Sequence, residues 1–99
     1  MGEGGIMTKT RYHTHRADDN HWQIIHECER AGLFVEDIHN GGLADIIVGH
    51  LGSVWIFEIK APGKRKNLTT AQRYTRLLWG RYTHVVESAD EIFKIVGLT

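Results

Sequence analysis

Asp45, Glu58 and Lys60, with Ile59 between the last two, are spaced so that they could work together. Twelve residues separate the two acids. The segment between them holds turn residues, Gly49 to Ser53, flanked by two apolar runs, Leu43 to Val48 and Val54 to Ala61. That pattern predicts a β-hairpin. With the turn centred between Leu51 and Gly52, His50 falls opposite Ser53, Gly49 opposite Val54 and Asp45 opposite Glu58. Opposed residues share a face, with Cβ atoms about 4.5–5.5 Å apart. Two carboxylates there repel unless a cation lies between them. A hard divalent ion such as Mg²⁺ takes carboxylate oxygens and completes its shell with water and phosphate. Lys60 projects from the same face as Glu58, where its ammonium could orient an attacking water or stabilise charge on a phosphate. The Ile59 carbonyl is a further oxygen within reach. A one-residue shift in pairing would separate the acids. A surface Glu–Lys ladder beside an unrelated Asp has the same spelling.

The elements that must position these groups read as αβββαβα. A first helix is expected from about Asp18 to Ala31, capped by Asp18 or Asp19, with Trp22, Ile25, Cys28 and Ala31 as its buried stripe and Gly32 as its stop. Leu33 to His39 reads as a first strand, turned by Asn40-Gly41-Gly42. In the third strand Trp55, Phe57 and Ile59 face one way, and Val54, Ile56, Glu58 and Lys60 face the other. After Pro62-Gly63 comes a basic loop, Lys64 to Asn67, expected to be a flexible arm. A second helix spans about Thr70 to Gly80, with Ala71, Tyr74, Leu77 and Leu78 on its buried side. Thr83 to Glu87 is a fourth strand, parallel to the third because a helix crosses over between them. Ser88-Ala-Asp-Glu91 opens a last short helix. The fold class is α/β, a four-stranded mixed sheet flanked by helices.

The 99 residues suffice for one small domain, expected over residues 16–99 behind a flexible leader, residues 1–15. Twelve Lys/Arg balance twelve Asp/Glu, yet Lys60 to Arg81 holds seven basic residues and no acid. A basic face beside an acidic cluster is what a phosphate-binding, metal-using site needs. Arg73 and Arg76 on the second helix, with Lys64, Arg65 and Lys66, are the candidate phosphate contacts. The lone Cys28 excludes an internal disulfide and fits a reducing, cytoplasmic setting; on the apolar stripe it reads as a core residue. No apolar run reaches the roughly 18 residues of a membrane span. His13 and His15 could grip a metal but read as solvated. His39 could stand behind the site; His21 and His26 read as surface residues.

The set Asp45, then Glu58-Ile59-Lys60, resembles the PD-(D/E)xK nuclease signature. With Gly42-Leu43-Ala44-Asp45-Ile46-Ile47-Val48, the Val54 to Lys60 strand, the basic loop and Gln72, the chain looks like the VRR-NUC branch of that superfamily over about Asp18 to Val96. Archaeal Holliday-junction resolvases are more distant relatives. The residue before the metal-binding Asp is usually Pro there and is Ala44 here; that side chain is no ligand.

The resemblance implies a restriction-endonuclease-like αβββαβ core and Mg²⁺- or Mn²⁺-dependent hydrolysis of DNA phosphodiesters, without an organic cofactor. It also implies a symmetric dimer acting on branched or structured DNA, as in small stand-alone members, often phage-borne. Asp45, Glu58 and the Ile59 carbonyl would hold metal, Lys60 would position the nucleophile, and Gln72 would hydrogen-bond a phosphate or water. Relatives place a Glu near the start of the first helix; Asp19 matches it best and Glu27 is the alternative, while Asp18 and Asp19 also fit simple capping. Gln72 equally fits a capping box with Thr69. The rival to an enzyme on DNA is a binding module that keeps the fold without turnover. A third reading is the same site acting on RNA.

Overall fold

The computed structural model describes residues 20–39 and 44–99. The expected leader, Asp18, Asp19 and the Asn40-Gly41-Gly42 turn lie outside them. Three helices and four strands follow in the expected order: α1 (His21–Arg30), β1 (Phe34–Asp37), β2 (Ile46–His50), β3 (Ser53–Ile59), α2 (Thr70–Trp79), a 3-10 turn (Gly80–Tyr82), β4 (Thr83–Val86) and α3 (Ala89–Val96). The sheet order is β1-β2-β3-β4, antiparallel for the first two pairings and parallel for β3 with β4. This is an α/β fold with a mixed sheet.

The core lies on one face of the sheet. Ile46, Val48, Phe57, Ile59 and Val86 meet Ile24, Ile25 and Cys28 of α1 and Ala89, Ile92 and Val96 of α3. Phe57 is wholly buried, and truncating such a side chain to Ala costs about 3–5 kcal/mol. Ser88 caps α3 by accepting the Glu91 N–H, and Gly97 closes the helix in the left-handed conformation. The capping box expected of Ser88 and Glu91 forms only in part. The Glu91 carboxylate takes the N–H of Glu87, not that of Ser88.

Two expectations about burial are corrected. On α1 the buried positions are His21, Ile24, Ile25 and Cys28, whereas Trp22 and Ala31 are exposed. The stripe is rotated because an imidazole, counted as polar, occupies a core position. On α2 no residue is buried. Ala71, Tyr74, Leu77 and Leu78 face outward, as do Trp79 and Tyr82. The helix lies over the side of the sheet opposite the core, held through Gln72 and Arg76. Its apolar side has no partner within the described residues.

The basic loop is pinned, which corrects its reading as a flexible arm. Glu87 accepts the N–H groups of Gly63 and Arg65, both at 3.1 Å. The Arg65 guanidinium bonds Glu91 and the Val85 carbonyl. Arg76 reaches the Thr83 carbonyl. Residues two apart on a strand direct their carbonyls to the same side. The two arginines therefore occupy the outer edge of β4 and protect it from pairing with another strand.

Candidate active site

The hairpin has the expected register from His50↔Ser53 through Gly49↔Val54 to Ile46↔Phe57. Leu51 and Gly52 form the turn, both at positive φ. The pairing changes at Asp45. Its N–H donates to Phe57 O at 3.0 Å, although Ile46 is the residue paired with Phe57. Two residues thus oppose one, as in a β-bulge, a device that re-aims a side chain. Asp45 is not simply opposed to Glu58. Its Oδ2 accepts the Ile59 N–H at 2.7 Å, in place of a backbone acceptor. The carbonyl of Asp45 accepts the Ile38 N–H at 2.8 Å, so β1 holds it from the other side.

Glu58 is buried at 8 % exposure, a rare place for a carboxylate. It alternates with Phe57 and Ile59 and so points away from the core, toward α2. Gln72 Nε2 donates to Glu58 Oε2 at 2.7 Å. Lys60 Nζ donates to Gln72 Oε1 at 3.0 Å and lies 3.9 Å from Glu58 Oε2. Gln72 is also the N3 residue of a capping box. Thr69 Oγ1 accepts its N–H at 3.1 Å, and its Oε1 accepts the Thr69 N–H at 2.9 Å. Gln72 is thus part of the cap, and it also bonds Glu58 and Lys60. The same amide starts α2 and joins that helix to Glu58 and Lys60.

Asn20 was not foreseen. It is the N-cap of α1 but makes no side-chain cap bond. Its Nδ2 instead donates to the carbonyls of Lys60 (3.1 Å) and Glu87 (2.9 Å), fastening the helix to the ends of β3 and β4. The cap expected at Asp18 or Asp19, with the helix beginning at about Asp18, is corrected: the helix begins at His21, with Asn20 as its N-cap.

Of the expected site residues, Glu58, Lys60 and Gln72 are joined by hydrogen bonds and Asp45 holds the Ile59 N–H; Asp19 is outside the described residues. Arg65 is committed to Glu87 and Glu91. Arg65, Lys66, Arg73 and Arg76, with His84, line an open groove between α2 and β4; Lys64 is exposed on the loop. Cys28 is a core residue. Burial, helped by the charges of Glu27 and Glu29, pushes its thiol up to about 11, which leaves it inert as a nucleophile near neutral pH. His39 lies against Asp37, with its Nδ1 2.7 Å from Asp37 Oδ1. His26 is exposed as expected, but His21 is wholly buried.

Among the described residues no helix is long and apolar enough to cross a membrane. Comparison of the chain with protein-family models, curated proteins and solved structures gives no match.

Proposed function

We propose that the chain is a metal-dependent endonuclease that hydrolyses phosphodiester bonds in branched or otherwise structured DNA. In this reading it is a VRR-NUC-like PD-(D/E)xK nuclease with a restriction-endonuclease-like core, working in the cytoplasm. The observation that carries the reading is the linked set at the end of β3: a buried carboxylate, Glu58, and an ammonium, Lys60, bonded to one amide, Gln72, beside the re-aimed Asp45. A buried Glu and a covered Lys are costly to place on a sheet face, and the bonds that fix them there favour a chemical role.

The donor set fits Mg²⁺ or Mn²⁺. It offers the carboxylate oxygens of Asp45 and Glu58 and the Ile59 carbonyl, with no nitrogen or sulfur among them. When bound, such an ion lowers the pKa of a water and offsets charge on the phosphate. Lys60, held by Gln72, presents its ammonium beside Glu58 to orient the nucleophile. The bulge aims the Asp45 carboxylate at the same end of β3. In-line attack of water on the phosphorus would break the P–O3′ bond, so one strand end keeps a 5′-phosphate and the other departs, protonated, as a 3′-hydroxyl. The groove of Lys66, Arg73 and Arg76 offers positive charge for the continuing strand.

A homodimer completes the reading. Tyr74, Leu77, Leu78 and Trp79 on α2 are 46–77 % exposed, and Tyr82 and Val54 are 55 % exposed. Monomers rarely leave so much apolar surface on one element open. A two-fold pairing of this face would bury it in a self-complementary contact and supply two sites for two strands. The test of the function is cleavage of four-way, flap, single-strand and duplex DNA, each with Mg²⁺ and with chelator. The double variant Glu58→Ala, Lys60→Ala is expected to bind junction DNA without cutting it. A wild-type protein that binds but cuts none of these substrates supports the binding-module reading instead; competition with unlabelled RNA separates the RNA reading.

A further inference from the structure

We propose that His21, Asp37 and His39 form a second metal site, on the core side of the sheet, that takes one ion of the zinc class. His21 opens α1 and is 0 % exposed. Its Nε2 lies 3.3 Å from Asp37 Oδ1, and His39 Nδ1 lies 2.7 Å from the same oxygen. The three ligand atoms all fall within 4.8 Å of one another. In a tetrahedral zinc site with bonds of about 2.0–2.2 Å, neighbouring ligand atoms are roughly 3.4 Å apart. The cluster reaches that spacing by small movements of the His39 and Asp37 side chains, which are 15 % and 28 % exposed.

The ligand chemistry separates this cluster from the one at Asp45 and Glu58. Two imidazoles and one carboxylate suit Zn²⁺, Co²⁺ or Ni²⁺, whereas an oxygen set suits Mg²⁺ or Mn²⁺. Burial points the same way. A ring wholly enclosed in the core would pack as well as a hydrocarbon, yet His21 places two polar nitrogens there. Its Nε2 faces Asp37, while its Nδ1 has no hydrogen-bond partner among the described residues. The partly open side at His39 and Asp37 gives an entry path and a fourth position for water.

The site would be structural. It ties the first turn of α1 to the end of β1. Between Asp37 and His39, Ile38 donates its N–H to the Asp45 carbonyl. An ion in the cluster would therefore also steady the backbone of Asp45.

The test is calorimetric titration of chelator-stripped protein with ZnCl₂, with Co²⁺ absorption as a second readout. One equivalent per chain is expected, together with the intense visible bands of tetrahedral Co²⁺ and no displacement by excess Mg²⁺. Saturating Zn²⁺ should raise Tm by on the order of 10 °C. His39→Gln, which keeps a polar group facing Asp37, and Asp37→Asn should each weaken uptake on the order of 100-fold, whereas Glu58→Gln should leave it unchanged. Circular dichroism of each variant confirms the fold. Absence of uptake by the wild type overturns the proposal and leaves a hydrogen-bonded triad. Uptake that survives both His39→Gln and Asp37→Asn, or is lost in Glu58→Gln, also overturns it. None of these outcomes bears on the nuclease reading, which rests on other residues.

Discussion

Gln72 carries bonds that serve two purposes. Its Oε1 takes the Thr69 N–H and the Lys60 ammonium, and its Nε2 donates to Glu58. Variants can separate the purposes. Thr69→Ala removes the cap and should cost about 1 kcal/mol of stability in urea unfolding. It should leave cleavage within a few-fold of wild type. Gln72→Ala should cost a similar amount of stability and also lower kcat/KM about 10–100-fold, because Lys60 and Glu58 lose their common partner. Equal effects on cleavage would reduce Gln72 to a cap.

Glu91 makes a second residue-scale test. Burial alone would push its carboxyl up, but the Glu87 N–H and the Arg65 guanidinium outweigh that and hold it below the ordinary 4.5. A carboxyl depressed in the fold stabilises it above the ordinary value, and that contribution is lost as pH falls through the depressed one. Glu91→Gln should therefore be less stable than wild type at pH 7, with the gap closing as pH falls below the ordinary carboxyl value. Thermal unfolding across that range checks it; a gap independent of pH would contradict the assignment. The Asp37 carboxyl is likewise held below its ordinary value. Burial would raise it, and the hydrogen bonds and positive charge of His39, with the charge of His21, lower it.

At the scale of elements, the hairpin was readable because a two-residue turn fixes which strand positions meet. The alternation of Phe57 and Ile59 against Ile56 and Glu58 gave the two faces of β3. The bulge at Asp45 was not readable, since no glycine or proline marks it and the ladder breaks for tertiary reasons. The burial of His21 was hidden by treating histidine as polar. The apolar stripe of α2 was visible, but periodicity does not distinguish a core contact from a contact with another chain. That stripe yields a direct test. Leu77→Asp with Leu78→Asp should leave the fold intact, because both side chains are open to solvent. The variant should run as a monomer in sedimentation, where the wild type runs as a dimer. A wild-type monomer at high concentration, or a dimer that survives the change, would contradict this use of the helix.

For the whole molecule, the neutral net charge conceals a basic groove on one side. Binding through phosphate contacts should weaken steeply with salt, with a slope of log Kd that reflects the number of phosphates neutralised. Arg73→Ala should lower that slope by about 1 without changing the preference among DNA sequences. Arg65→Ala should instead act mainly on stability, since its guanidinium is held by Glu87 and Glu91. Fluorescence anisotropy at several salt concentrations distinguishes the two.

The most direct test of the nuclease reading is single-turnover cleavage of a labelled four-way junction, with Mg²⁺ added to metal-free protein. Wild-type protein should cut it and leave 5′-phosphate ends, while Glu58→Gln binds the same junction and leaves it whole. Cleavage that persists at the wild-type rate in Glu58→Gln, or a wild type that never cuts with either Mg²⁺ or Mn²⁺, would contradict it.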